Sequence, residues 1–260
     1  MTTPVDFLHE HHLKPILNQE QLYRFATRFT DSFNKKHIVE KDCIRFITLT
    51  YYGTIDDLFV FKVLTNKVDV LFNQKNLENH LPKECIYAFD DVDLGVNEKG
   101  EIVKVFNLAA LQKQWKRRKL ELQEFNVGHE LDTFLDNISN VLMNEENAIE
   151  ILNLNSMFGF YFQGLFAKYD TNEVPKKRTV IVEEFDVALT EEIWAESKIS
   201  GLKITAQKSN DAHKKIICDM DVIKKYEGNL MYNTENRLVE GFLEIKNENM
   251  NIKYKILWVG

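Results

Sequence analysis

The spacing of apolar residues changes twice along this chain and divides it into three parts. Residues 43–106 and 179–259 contain short runs rich in β-branched and aromatic side chains, which predict strands. Between them, residues 108–169 repeat apolar positions three and four apart, which predicts helices. The pattern therefore predicts an α+β fold, with antiparallel β-rich flanks packed around a central helical segment.

The β-rich flanks are defined by a few clear runs. Cys43–Tyr52 and Leu58–Leu64 predict a hairpin with its turn at Gly53–Asp57, and Thr65–Lys67 predicts a further turn. The run Asn251–Val259 alternates apolar residues with lysine, as expected for an antiparallel strand with one buried face. The two flanks form either two sheets or one continuous curved sheet around the helices.

A separate amphipathic helix is predicted at residues 18–35, within an N-terminal helical segment that spans residues 1–38. Its apolar stripe follows helical spacing and consists of Leu22, Phe25, Ala26, Phe29 and Phe33. We expect this stripe either to dock on the core or to bind a partner protein.

The central segment 108–169 predicts helices at 108–125, 129–143 and 144–154, followed by an aromatic run, Met157–Phe166. A helix with this run would be apolar nearly all round, which indicates burial on most sides, and we favour it over a doubly buried strand. The run contributes Phe158, Tyr161, Phe162 and Phe166 to the candidate binding surface, together with Leu22, Phe25 and Phe29. These aromatic residues form either closed core or a ligand groove.

Composition places the chain among ordinary globular proteins. With 260 residues, 44% of them hydrophobic, it has enough apolar material for one α+β domain spanning residues 1–260. The alternative is a division into two β-rich halves near the polar linker at residues 170–178. Three scattered cysteines, an N-terminus without a signal-peptide pattern and the lack of any 18-residue apolar window predict a cytoplasmic protein without a membrane span.

Net charge argues against a nucleic-acid partner. The formal charge is -7, and the concentrated basic run Lys116–Lys119 is too short and too poor in stacking aromatics for nucleic-acid binding. We interpret it as a solvated helix face that pairs with the acidic helix after it.

Catalytic and cofactor motifs are missing from the sequence. It contains no GxSxG, no P-loop and no GxGxxG. His9–His12 is the most metal-like cluster, but no further ligands complete a site, so we predict neither a metal nor a cofactor. Glu184 and Asp186 would share one side of a strand and are the acid–base pair of an enzyme hypothesis, which we rank last.

Three functional hypotheses follow, and no motif assigns a family. The first is a non-enzymatic adaptor, chaperone-like or structural component of a larger protein assembly. Its positive support is the helix at 18–35, the many aromatic residues, and the terminal strand, whose edge would accept a partner strand. The alternative is a carrier of an apolar small molecule or lipid: a curved sheet wrapped around the aromatic run would resemble the half-barrels of lipoprotein-carrier and related lipid-binding proteins. The third is an enzyme with an unrecognised site. Oligomeric state is left open.

Overall fold

The computed structural model describes residues 10–33, 38–73, 88–125, 128–154, 161–162, 168–170, 175–182, 185, 187–209 and 223–260. Among these residues, strands far outnumber helices. The strands are β1 (Glu10–His12), β2 (Glu20–Asp31), β3 (Val39–Ile55), β4 (Leu58–Phe72), β5 (Asp91–Val96), β6 (Ile102–Val105), β7 (Lys168–Asp170), β8 (Lys176–Val182), β9 (Val187–Lys198), β10 (Gly201–Lys208), β11 (Lys225–Asn233), β12 (Leu238–Lys246) and β13 (Met250–Trp258). The helices are α1 (Leu108–Phe125), α2 (His129–Val141) and α3 (Glu145–Leu154).

Within the described residues, eleven strands form one antiparallel sheet in the order β6-β5-β4-β3-β2-β13-β12-β11-β10-β9-β8, and β1 pairs with β7 separately. Strands β2 and β13 are neighbours, so the first and the last strand of this sheet along the chain pair with each other. The predicted α+β class is therefore wrong, because the structure is mainly a single large sheet with few helices. Of the two arrangements left open for the flanks, one continuous sheet is observed.

The helix predicted at residues 18–35 is also wrong, because its central part forms strand β2. Gln21, Tyr23 and Phe25 are buried, whereas the residues between them are only half-buried. Phe25 and Phe29 are four residues apart, a spacing that puts two side chains on one side of a strand as well as a helix. Strands β3 and β13 pair with the two edges of β2, and their hydrogen bonds to its backbone favour a strand over a helix.

The hairpin of β3 and β4 is confirmed, but the second turn predicted there is wrong. Asp56 and Asp57 form the tight turn with φ of 48° and 62°, values that aspartate tolerates better than most residues. At Thr65–Lys67 the chain does not turn, and β4 continues to Phe72. The pairing instead shifts register between Phe46 and Ile47, which leaves Asn66 as the extra residue of a β-bulge.

The predicted helices at 108–125, 129–143 and 144–154 are confirmed as α1, α2 and α3. Trp115 of α1 donates from Nε1 to Ser139 Oγ of α2 over 3.0 Å. Of the basic run, Lys119 pairs with the acidic helix as interpreted from the sequence, since its Nζ lies 2.6 Å from Asp136 of α2. Arg118 pairs instead with Asp90, directly before β5, over 3.0 Å.

The two faces of the eleven-stranded sheet differ sharply. One face, which we call the helix face, packs against α1–α3 and carries the apolar core. The opposite face, which we call the charged face, carries cross-strand ion pairs. These include Arg28–Asp42, Lys62–Asp91, Lys225–Glu244, Lys253–Glu244 and Lys255–Glu240. This division fixes which side of each strand holds buried side chains.

The core of the helix face contains two apolar clusters. Ile256 belongs to the first cluster, with α1–α3, and Ile252 belongs to the second, with Leu243 and Tyr226. Because residues four apart on a strand point to the same side, both clusters lie on the helix face, one towards each end of the strands. Apolar surface therefore extends along the whole length of the central strands.

The edge at β6 is blocked by side chains of α3. Asn153 accepts from the backbone N–H of Ile102 over 2.9 Å and donates to its carbonyl over 2.8 Å. Glu145 Oε1 accepts from the N–H of Val105 over 2.9 Å. Two side chains thus take the place of a twelfth strand, which protects the edge from pairing with another chain.

None of the described helices combines the length and the apolar character that a membrane crossing requires.

Candidate ligand-binding site on the helix face

The structure brings together only part of the predicted binding surface. Phe25 is buried in the first cluster, and Phe29 packs against the second, so both lie on the helix face. Leu22 is half-buried and points to the charged face, because it lies three positions from Phe25 along β2 and side chains alternate between the two sides of a strand. Tyr161 and Phe162 are helical and buried in the first cluster, whereas Phe158 and Phe166 lie outside the described residues.

Tyr161 and Phe162 belong to an aromatic array that connects three strands. Ring centroids follow one another from Tyr51 to Phe61 at 5.2 Å, to Phe162 at 4.9 Å, to Tyr161 at 5.2 Å and to Tyr23 at 5.4 Å. Such distances are typical of favourable tilted and edge-to-face contacts. Phe162 is completely buried and Tyr161 nearly so. The described part of the aromatic run is therefore packed core.

The array ends in a buried polar pair. Tyr23, fully buried, donates its hydroxyl to Gln21 Oε1 over 2.7 Å. Burial, followed by the neighbouring Tyr161, raises the pKa of Tyr23 far above its ordinary value, while the charge of Arg237 acts in the opposite direction. Burial likewise raises the pKa of Tyr161. Both phenols are consequently neutral hydrogen-bonding groups at any physiological pH.

Arg237 is held at the start of β12 by a tight turn from β11. The side-chain oxygen of Asn233 accepts from the backbone N–H groups of Glu235 and Arg237, each over 3.0 Å. Asn236 adopts φ of 63°, a left-handed conformation that asparagine tolerates better than most residues. These contacts fix the backbone from which the arginine side chain extends.

The guanidinium of Arg237 is buried beside the first cluster without a buried counter-ion among the described residues. It stacks over the ring of Trp258 at 4.4 Å from the centroid, and Nη2 donates to Gln19 Oε1 over 3.0 Å. The nearest carboxylate oxygen, from Glu235, is 3.5 Å away on a side chain that is 66% exposed, whereas the arginine side chain is 10% exposed. A buried cation with so weak a partner is unusual, because burial of a charge is costly unless the charge is paired.

Two N–H groups at this position make no hydrogen bond to the described residues. They are Nε of Arg237 and Nε1 of Trp258, and both atoms are shielded from solvent. Buried donors normally have an acceptor, so each such exception requires a reason. Chemically, the pair offers two donors and a positive charge at the border of an apolar core, an arrangement suited to an oxyanion.

A second buried polar cluster is already satisfied. Glu191, 2% exposed, accepts from Arg178 Nε across the β8–β9 pair and from the Tyr226 hydroxyl over 3.1 Å. Burial and the charge of Glu191 raise the pKa of Tyr226. Lys208, on the neighbouring strand, donates to the carbonyl of Ile223 over 3.0 Å. Both carboxylate oxygens of Glu191 thus accept a hydrogen bond, and the cluster stabilises the sheet.

Only part of the residues of the metal and enzyme hypotheses is described. His9, Glu184 and Asp186 lie outside the described residues. Strand β1 contains His11 and His12, and the His12 side chain is exposed. Across the part of the chain that is described, no three His, Cys, Asp or Glu side chains converge in a way that would hold a metal ion.

Sequence reasoning missed Arg237, Trp258, Gln21 and Tyr23 as members of one site. They come from strands β2 and β13 and from the turn directly before β12, and their proximity depends on the pairing of β2 with β13 and of β13 with β12. The sequence predicts only that Arg237 belongs to a polar turn. The only available signal was an arginine placed directly before a strongly apolar strand.

Comparisons with known proteins assign no family. No family model matches the chain, and no curated protein matches it. Among solved structures, one described as "Lipid-protein interactions in lipovitellin" matches with a TM-score of 0.44 and 11% identity, over 94% of this chain and 25% of that one. The chain thus spans a quarter of the length of that structure, and no function is transferred from it.

Proposed function

We propose that this protein is a non-catalytic carrier of an apolar small molecule, which it holds on the helix face of the sheet. The observation that carries the proposal is the pairing of β2 with β13, which joins the apolar surface of the helix face across the central strands of the sheet. Ligand sites are usually apolar surfaces with a few well-placed polar groups, and the helix face has both parts.

The adaptor hypothesis loses two of its three supports. The amphipathic helix at residues 18–35 is replaced by β2, a strand inside the sheet. The terminal strand β13 has neighbours on both sides, β12 and β2, so its edges are occupied and cannot accept a partner strand. What is left of that hypothesis is the number of aromatic residues, and the aromatic array accounts for part of it as core.

We place the ligand between the two apolar clusters, where the helix face carries small residues. Ala206 lies opposite Gly228 in the β10–β11 pair, and Gly241 lies one strand further along. At Gly228 an added Cβ would lie 2.7 Å from the carbonyl oxygen of Phe242, so the backbone itself requires glycine there.

A titration with a neutral, apolar fluorescent probe such as N-phenyl-1-naphthylamine tests this function. We expect saturable binding near one probe per chain, and weaker binding after Ala206→Leu, which places a larger side chain among these small residues. Thr205→Leu, one residue away on the charged face, is the matched control and leaves binding unchanged. A linear, unsaturable probe signal, or equal effects of the two substitutions, would overturn the proposal.

A further inference from the structure

We propose that Arg237 and Trp258 form a headgroup site for an amphiphile with a single negative charge, a carboxylate or a phosphodiester. This inference rests on the proposed carrier function and specifies the chemical class of its ligand.

The charge of Arg237 is the first argument. Its side chain is nine-tenths buried, yet the closest carboxylate, Glu235, is largely in solvent at 3.5 Å. Gln19 supplies a neutral acceptor, and the Trp258 ring supplies a cation–π contact, but neither cancels the charge. An anion bound against the guanidinium would provide the missing compensation in a place where water is largely excluded.

The two unused donors are the second argument, and they are independent of the charge. Nε of Arg237 and Nε1 of Trp258 are shielded from solvent and donate to no described residue. Arginine presents its N–H groups in a planar fork that matches the two oxygens of a carboxylate or a phosphate ester. An oxyanion that displaced the groups shielding these two atoms would satisfy donors that otherwise lose their hydrogen bonds to water on folding.

The number of charges limits the headgroup to a monoanion. One guanidinium compensates one negative charge, and Glu235 already contributes negative potential at the solvent side of the site. A phosphate monoester, with nearly two charges, would leave one uncompensated beside that carboxylate. The chain as a whole carries a net charge of -7, which adds to the repulsion of a dianion.

The position of the headgroup agrees with that of the apolar tail. Arg237 lies directly before β12, four positions from Gly241, a distance of at most about 13 Å because a β-bulge interrupts this end of the strand. Gly241 lies beside Ile256 in the β12–β13 pair, on the helix face. An alkyl chain that starts at Arg237 and follows β12 would therefore reach the small residues where we place the ligand.

Competition against the neutral probe tests the inference with matched ligands. Dodecanoate and dodecanol differ only in the headgroup, lysophosphatidylglycerol supplies a phosphodiester, and acetate and dimethyl phosphate supply headgroups without a tail. We expect wild-type protein to bind dodecanoate at least about tenfold more tightly than dodecanol, as a charge-assisted hydrogen bond would provide. If the lysolipid alone shows this preference, the phosphodiester is the headgroup; if the tail-free ions compete as well, the site binds the anion itself, and the amphiphile is wrong.

Substitutions test which residues cause the preference for the acid over the alcohol. Arg237→Gln should remove the preference for acid over alcohol while probe binding is retained, and Trp258→Phe should reduce it by a smaller factor. Arg28→Gln is the control, because it removes one positive charge from an exposed pair with Asp42 on the charged face. If Arg237→Gln does not fold, Arg237→Lys replaces it, since lysine keeps the charge but loses the Nε donor.

A wild-type protein that prefers neither dodecanoate nor lysophosphatidylglycerol over dodecanol, or an unchanged preference in both Arg237 and Trp258 variants, overturns the headgroup site. Failure of the carrier proposal looks different, because then neither the neutral probe nor dodecanol binds at all.

Discussion

Ile256 of β13 lies directly opposite Phe25 of β2, and both side chains are almost completely buried on the helix face. This contact joins strands from the two ends of the described chain in the middle of the sheet. It creates the continuous apolar surface on which the carrier proposal depends, and it brings Trp258 opposite Tyr23 at one end of the same strand pair.

Buried and half-buried side chains alternate along β2, so truncation of Phe25 and of Leu22 should have different effects on stability. In the predicted helix both residues would belong to the same apolar stripe. Phe25→Ala should lower the free energy of unfolding by about 3–5 kcal/mol, because it removes a buried aromatic ring from the first cluster. Leu22→Ala, on the charged face, should cost about 1 kcal/mol, because Leu22 is only half-buried. Denaturant unfolding of both variants measures the difference, and equal losses would contradict the strand assignment.

The blocked edge at β6 predicts a role for Asn153. Asn153→Ala removes both hydrogen bonds to the backbone of Ile102 and should cost about 2 kcal/mol. It should also promote concentration-dependent aggregation, because an unprotected edge pairs with other chains. Asn147→Ala, on the same helix with a weaker, exposed bond to Asn140, is the control. Light scattering and unfolding curves that do not distinguish the two variants would remove the edge-blocking role.

The buried pair of Arg178 and Glu191 predicts an asymmetric response to neutralisation. Arg178→Gln leaves the carboxylate of Glu191, whose side chain is 3% exposed, without its cation and should cost about 3 kcal/mol. Glu191→Gln leaves a guanidinium whose side chain is 33% exposed, and water can solvate it in part. The second substitution should therefore cost clearly less in thermal and denaturant unfolding, and the reverse order would show that the desolvation argument is wrong.

Two carboxyl groups on the charged face predict pH effects of opposite sign. The hydrogen bond from Lys225, with help from Asn251 and Lys253, lowers the pKa of Glu244. A lowered pKa stabilises the fold above the unfolded value and loses that effect as pH falls through the folded value. Glu244→Gln should therefore cost about 1 kcal/mol at neutral pH, and the deficit should vanish in acid.

Asp93 is the counterpart. Burial raises its pKa, with a further contribution from Asp91, while Lys62 acts in the opposite direction. A raised pKa favours the fold below the unfolded value and loses that contribution as pH rises through the folded one. Asp93→Asn should then be more stable than wild type at neutral pH and lose this advantage in acid. Unfolding curves across the acid range that show parallel pH profiles for both variants would contradict these assignments.

The local elements of this fold could largely be predicted from the sequence. The helices α1, α2 and α3 follow from long apolar stripes, and the β3–β4 hairpin follows from its composition and turn. Residues 18–35 were misassigned because the four-residue spacing of Phe25 and Phe29 fits the repeat of a helix as well as that of a strand. The turn at Thr65–Lys67 was misassigned because a bulge residue such as Asn66 resembles a turn residue in sequence. Neither error could be corrected from neighbouring residues alone, since long-range pairing decides both.

The candidate site could not be predicted, because its members meet only after the sheet has formed. Tyr161 and Phe162 were found from the density of aromatic residues, a signal of burial. Arg237 carries no local signal of that kind. Its burial and its unused Nε depend on Trp258 and Gln19, which approach it through the pairing of three strands.

Native mass spectrometry of the protein purified from its own cells tests the carrier proposal most directly. We expect a population heavier than the polypeptide mass, whose excess disappears after extraction with organic solvent. The extract should contain an apolar acid that rebinds to wild-type protein and does so less well to the Ala206→Leu variant. A single species at the polypeptide mass, from protein that also fails to take up any lipid from a total lipid extract, would contradict the account.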